Sequence, residues 1–298
     1  MRAVQIAPDK PFGFLNMGRL RLAQQRFTEA EEFYEQALVL DPNSSDAIRG
    51  LIGSYNGAKQ PARAVARIEA QLKIAPQNSD FYAILGELQL NGKDYPAAEV
   101  SLRKAISLDK NNMNAFLLIG QVETQEGSVE KAIASSYEWI QENPKDATAY
   151  VLTGSLEEER GDWRRAQELY TKALEIQPNS AIAKNNLAYS MLENDGVIDV
   201  ALSLAQTAHA EAPNVASIDD TLAWAYYHKG RYQISIALLQ DALKIEPDNA
   251  PYHYHIGLAY SKLGEVAQAR LHLHRALAMD SKSAQADLVR RELRQLGG

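Results

Sequence analysis

Two runs near the C-terminus concentrate the side chains most able to do chemistry. PYHYHIGLAY (251–260) carries His253 and His255 among three tyrosines, and RLHLHRAL (270–277) adds His272 and His274. Imidazoles ligate zinc and related metals, and a helix offers two of them to one ion when they stand four residues apart beside a third ligand. Here each pair is two residues apart, which sends the rings to nearly opposite sides of a helix. The spacing assigns these histidines to packing, and no metal site is expected. Other signatures are missing: the chain has no GxSxG, no GxxxxGK[ST], and no GxGxxG following a strand. The carboxylate run LEEERGD (156–162) reads as a solvated helix face, because acid–base chemistry needs a closed pocket that shifts pKa values. Neither enzymatic activity nor a cofactor is expected.

Composition narrows the classes further. The 298 residues are 46% hydrophobic and 23% charged, enough for a sizeable core under an ordinary polar surface. A net charge of −7 argues against nucleic acid as a partner, since phosphate contacts need clustered Lys and Arg. No run approaches 18 uninterrupted apolar residues, so no direct membrane insertion is expected, and MRAVQIAPDK lacks the apolar stretch of a secretory signal. Without cysteine there are no disulfides, thiolate ligands or Cys nucleophiles.

The elements that must position these residues announce themselves by period. Prolines fall at 42, 76, 144, 178, 213 and 247, with Lys110 and Ser281 standing where two more would be. Successive marks are 34 residues apart, except for a single 35 between 178 and 213. With Pro11 as position 1, position 8 is Gly18, Ile52, Gly86, Gly120, Gly154, Ala188, Ala223 and Gly257. Position 20 is Ala or Ser throughout, from Ala30 to Ala269. Position 27 is Ala except at Gln71 and Trp139. Small residues on two facing stripes let a pair of helices approach closely, and a large side chain there would overpack by roughly 1–3 kcal/mol. Proline stops the second helix, and Ser44, Asn78, Asn112, Asp146, Ser180, Asn249 and Ser283 stand ready as N-caps of the next. Gly127, Gly161, Gly230 and Gly264 mark the turn inside the repeat. In the fourth repeat small Ser136 beside large Trp139 reads as a local exchange of size. The extra residue in ENDGVID predicts a longer turn in the sixth.

Small residues at 8 and 20, apolar or aromatic residues at 4, 7, 11 and 24, Ala at 27 and Pro at 32 resemble the tetratricopeptide repeat. The resemblance implies an all-α fold: a right-handed α-solenoid, or superhelix, of antiparallel helix-turn-helix hairpins. Eight repeats cover 11–281, dividing near 11–44, 45–78, 79–112, 113–146, 147–180, 181–215, 216–249 and 250–283, with a C-terminal capping helix at 284–298. Pro8 and Ala3 keep the same register, so residues 1–10 read as the end of an earlier repeat, in a chain cut from a longer protein.

In such a stack the first helices line a concave groove, and the resemblance places groove positions at 2, 5, 9, 12 and 13. The middle of the groove is then polar and acidic, with Gln121, Glu158 and Glu159. The last three repeats supply Asn185, Tyr189, Asp220, Trp224, Tyr227, His228, Tyr254, Leu258 and Lys262. Exposed Trp and Tyr are the stuff of binding hot spots, although aromatic stripes at helical spacing also serve as core. Leu15, Arg19, Arg49 and Gly53 do not reproduce the constellation with which family members grip acidic C-termini. The expected partner is therefore a protein or peptide that is neutral, basic or aromatic-rich. The function implied is a non-catalytic interaction scaffold; the rivals are a recognition arm of a larger enzyme or export machine, and a self-assembling scaffold, hence a homo-oligomer. Residues 185–232, followed by YHYHIGLAYSKLGEVAQAR (252–270), also resemble C-terminal repeats of bacterial lipoproteins and scaffolds of exopolysaccharide or exosortase-linked export. That kinship would imply a periplasmic or outer-membrane-associated location, where its absence would imply the cytoplasm.

Overall fold

The computed structural model describes residues 10–194 and 196–297, and among these it contains seventeen α-helices and no strand. The chain divides into two compact units, one ending at Asn143 and one beginning at Pro144. The first unit holds α1 (Pro11–Ala23), α2 (Phe27–Leu40), α3 (Ser45–Gly57), α4 (Pro61–Ile74), α5 (Ser79–Asn91), α6 (Tyr95–Leu108), α7 (Met113–Gln125) and α8 (Val129–Glu142). The second holds α9 (Ala147–Glu159), α10 (Trp163–Ile176), α11 (Ala181–Glu193), α12 (Ile198–Glu211), α13 (Ala216–His228), α14 (Tyr232–Ile245), α15 (Ala250–Lys262), α16 (Val266–Met279) and α17 (Ala284–Gln295). The end of an earlier repeat expected over 1–10 lies, apart from Lys10, outside the described residues.

First helices of 13 residues alternate with second helices of 14, and each unit is an all-α solenoid of antiparallel hairpins. The expected N-caps form: Ser44, Asn78, Asn112, Asp146, Ser180, Asn249 and Ser283 each accept a backbone N–H from the helix they open. Each such cap is worth about 1 kcal/mol. The turn between hairpin helices needs a left-handed residue. Gly127, Gly161, Gly230 and Gly264 supply it, while Gln25, Lys59 and Lys93 adopt the same conformation in the first three repeats. In the sixth repeat α12 starts later after its partner than elsewhere, as the extra residue requires.

The hairpins close through small residues. Every side chain at position 20 is 0–1% accessible. A Cβ on Gly154 would lie 2.6 Å from the Tyr170 ring, and one on Gly18, Gly86 or Gly257 would lie 2.7, 2.6 or 2.8 Å from Tyr34, Leu102 or Leu273. Each of those partners is at position 24, so the bare helix surface at position 8 is its seat. The two departures at position 27 are resolved differently. Buried Gln71 donates Nε2–H to Pro42 O at 2.6 Å and accepts from Arg67 at 2.9 Å, leaving neither end of its amide unsatisfied. Trp139 stacks on Phe116, with ring centroids 4.5 Å apart and planes 15° from parallel. That exchange of size is one-sided, because nothing lies within 4 Å of a Cβ built on Gly120. Ser136 turns its hydroxyl to Ile133 O and leaves the seat empty, and a cavity of about 380 Å3 opens beside Trp139 and Phe116.

Gly120 and Gly154 occupy the same helical position with opposite surroundings. Gly120→Ala should raise stability by about 0.5–1 kcal/mol, the difference in helix propensity. Gly154→Ala should lower it by roughly 1–3 kcal/mol through overpacking against Tyr170. Urea midpoints of the two variants against the parent check this, and a shift of the same sign in both would contradict the seat.

Candidate functional site

In the second unit the first helices α9, α11, α13 and α15 pack side by side, so their positions 2, 5 and 9 share a face. A cleft of about 310 Å3 opens there. Ser155 and Glu158 of α9 form one wall, Asn185, Asn186 and Tyr189 of α11 the floor, and Ser217, Asp220 and Thr221 of α13 the other wall, with Pro251 at the end. Tyr170 joins them from a second helix. Its ring passes over Gly154, and its hydroxyl emerges among the wall residues, donating to Glu158 Oε2 at 2.9 Å with Ser155 Oγ 3.3 Å away. Burial, with Glu158 beside it, holds the Tyr170 phenol well above the ordinary tyrosine range; burial does the same to Tyr189, helped by Glu193 and Asp220. Both rings therefore stay neutral.

Of the residues expected in the groove, Glu158, Asn185, Tyr189 and Asp220 meet in this cleft. Trp224 lies deeper than its sequence position implied. It is 7% accessible, stacks on Tyr227 (4.6 Å, 11°) and His255 (4.3 Å, 16°), and donates its indole N–H to Glu193 at 2.6 Å. Leu258 is buried in the same cluster, against which the half-buried Tyr227 and Tyr254 pack. Burial pushes the Tyr227 phenol up to about 12. His228 and Lys262 are exposed, Glu159 is exposed outside the cleft, and Gln121 is exposed in the first unit. The arginines read into the first unit's groove are engaged by acids of the following repeats: Arg19 with Asp46 at 2.8 Å and Arg49 with Glu87 at 3.1 Å.

Sequence reasoning passed over Tyr170, Asn186, Ser155, Ser217 and Thr221. Ser155 and Ser217 sit at groove positions 9 and 2 but carry short, common side chains. Tyr170 sits at position 24, a packing position, and only the glycine opposite it signals that the ring can reach through.

Of the four histidines in the two C-terminal runs, His253, His255 and His272 are hydrogen-bonded within the scaffold, and His274 is exposed. His253 Nε2–H donates to Pro247 O at 3.1 Å, which leaves its Nδ1 to accept from His272 Nδ1–H at 2.8 Å. His255 points elsewhere, donating Nδ1–H to Asp220 at 2.7 Å. Among the described residues no three or more His, Cys, Asp or Glu side chains converge as metal ligands would.

Tetratricopeptide repeat models match residues 21–88, 79–112, 151–216 and 250–283, and a TPR repeat model matches 224–264. The chain belongs to the tetratricopeptide repeat family. No curated protein sequence matches it. Solved structures show the same fold at low identity. A chain of the APC/C hetero-tetramer Cut9–Hcn1 superposes with a TM-score of 0.67 at 17% identity, over 99% of this chain and 57% of that one. A tetratricopeptide repeat protein from Parabacteroides merdae ATCC 43184 gives 0.62 at 17% identity, covering 85% of this chain and 99% of that one. Pseudomonas aeruginosa pilF gives 0.57 at 17%, covering 72% and 97%. This chain thus spans little more than half the length of the first. Tetratricopeptide repeat proteins are in general non-catalytic scaffolds with protein partners, and no described helix here is long and apolar enough to cross a membrane.

The paired histidines give this repeat protein a pH dependence. Burial first, then His253 and Arg275, hold His272 down to about 4, against about 6.5 when unfolded, and burial lowers His253 as well. Between those values the unfolded chain binds a proton that the folded chain refuses, so stability is full above about pH 6.5 and falls as pH drops towards 4. His272→Gln keeps a neutral donor to His253 and removes the titration. From pH 6.5 to 4.5 the parent should lose about 1–2 kcal/mol more than this variant in urea unfolding; equal losses would contradict the assignment.

Proposed function

We propose that this tetratricopeptide repeat protein holds an extended segment of a partner protein along the concave face of its second unit. One observation carries the reading: four first helices and Tyr170 converge on a single polar, tyrosine-flanked cleft. Elsewhere on that face the large aromatic residue Trp224 is spent on packing. A cleft of about 310 Å3, at the small end of the range for bound molecules, accommodates a side chain and its backbone. Tyr189 offers amphipathic contact area of the kind that anchors interfaces. The acidic walls favour a partner that is neutral, basic or aromatic-rich over an acidic tail. The likeness of residues 185–232 to repeats of polysaccharide- or exosortase-linked export scaffolds favours, as a second reading, the recognition arm of a larger assembly. The two readings differ in the partner's identity and share the cleft.

Trp224→Ala is a poor probe, since removing a buried Trp costs about 3–5 kcal/mol. Ser217→Trp is better: Ser217 is an exposed rim residue, and an indole there fills the cleft without disturbing the core. Peptides selected from a displayed twelve-residue library on the parent chain should bind Ser217→Trp at least about tenfold more weakly, roughly the loss of one anchoring contact. They should bind Val39→Trp, changed on an exposed second-helix residue, as they bind the parent. Failure to select any peptide, or equal binding to parent and Ser217→Trp, would refute the reading.

A further inference from the structure

The polar inventory of the cleft is lopsided. Several of its donors are engaged with neighbours, namely Asn185 Nδ2 with Asn186 Oδ1 at 3.3 Å, Asn186 Nδ2 with Ser155 Oγ at 3.5 Å, and Thr221 Oγ1 with Ser217 O at 3.0 Å, which leaves the hydroxyls of Tyr189 and Ser217 as its neutral donors. Tyr170 OH is committed to Glu158 Oε2. Three of its acceptors are open. Asn185 Oδ1 is buried without a hydrogen-bond partner. Glu158 Oε1 and Asp220 Oδ2 accept no hydrogen bond among the described residues, although Asp220 is only 6% accessible and uses its other oxygen on His255. No Lys or Arg lines the cleft.

A buried acceptor left without a donor costs about 1–3 kcal/mol, and folded proteins resolve such groups with a partner. Here the buried acceptor without a donor is Asn185 Oδ1, and two carboxylates stand around it, so the group that supplies the donor gains most if it is cationic. The open acceptors come from three helices, α9, α11 and α13, and are spread around the cleft rather than gathered at one point. A guanidinium carries five N–H donors in a rigid plane and lies flat on an aromatic face, whereas an ammonium is a compact point charge. The neutral, half-buried ring of Tyr189 is present for that contact.

We propose that the cleft takes an arginine side chain of the bound segment, its guanidinium shared between Glu158, Asn185 Oδ1 and Asp220. The proposal rests on the concave-face reading above and adds the chemistry of the partner to it.

Three capped pentapeptides, Gly-Ser-X-Ser-Gly with X as arginine, lysine or citrulline, test it on the full chain. Citrulline keeps the shape of arginine and removes its charge. Titrations are followed by the side-chain amide NMR signals of Asn185 and Asn186. The arginine peptide should shift both signals and bind at least about tenfold more tightly than the citrulline peptide, with lysine between them. Glu158→Gln should weaken the arginine peptide by about tenfold and leave the citrulline peptide unchanged. Arginine and citrulline binding alike, lysine binding as well as arginine, or none of the three shifting these signals would overturn the proposal. The library selection separates this from failure of the parent reading. Peptides lost on Ser217→Trp but not enriched in arginine would sink the arginine assignment alone, whereas no selected peptides would sink both.

Discussion

The repeats depend on how closely the helices of a hairpin can approach, and in the first, third, fifth and eighth that distance is set where position 24 meets a glycine at position 8. A glycine at position 8 leaves a patch of bare helix, and a tyrosine or leucine from the second helix sits on it at a distance that would not admit a methyl group. The approach fixes the hairpin, and the 34-residue repeat then lays successive first helices beside one another. Their positions 2, 5 and 9 share a face for that reason. At Gly154 the same seat has a second consequence. The ring it admits belongs to Tyr170, whose hydroxyl continues past the helix and becomes part of the cleft wall. A packing contact thereby supplies a functional group.

Where the seat is not filled, the chain shows what the contact contributes. The fourth repeat keeps glycine at position 8 but places Ser136 opposite it, and Trp139 answers by stacking outward on Phe116 rather than inward over Gly120. Volume is conserved along the helix and misplaced across it. The second repeat solves a different problem, hiding an amide at position 27 by hydrogen-bonding both of its ends. Departures from the pattern are therefore tolerated when polar groups are satisfied, and leave the seat unfilled when only size is wrong.

Much of this was legible in the residues. Periodic alanines and glycines specify close helix pairs, prolines and Ser, Asn or Asp caps specify their ends, and helical geometry specifies which residues share a face. The histidine spacing was enough to read His253 and His255 as pointing apart, as they do. Less legible was which large residues on the shared face remain accessible. Trp224 has the spacing of a groove residue, but His255 from the next repeat and Glu193 from the previous one close around it, and such contacts do not appear in a one-dimensional period. Gln25, Lys59 and Lys93 were opaque for another reason. Left-handed turn residues are usually glycine, and a surface turn tolerates the modest cost of a longer side chain there. Tyr170 was hidden by its own regularity, since position 24 is a core position in every repeat.

The central claim is that partners meet this protein at the concave cleft of the second unit. Site-specific photocrosslinking in cells of the source organism tests it most directly, with a benzophenone amino acid placed at Ser217 on the cleft rim or at Val100 on an exposed second-helix face. A discrete adduct is expected from position 217 and none from position 100. An adduct confined to position 100, or found equally at both, would contradict it.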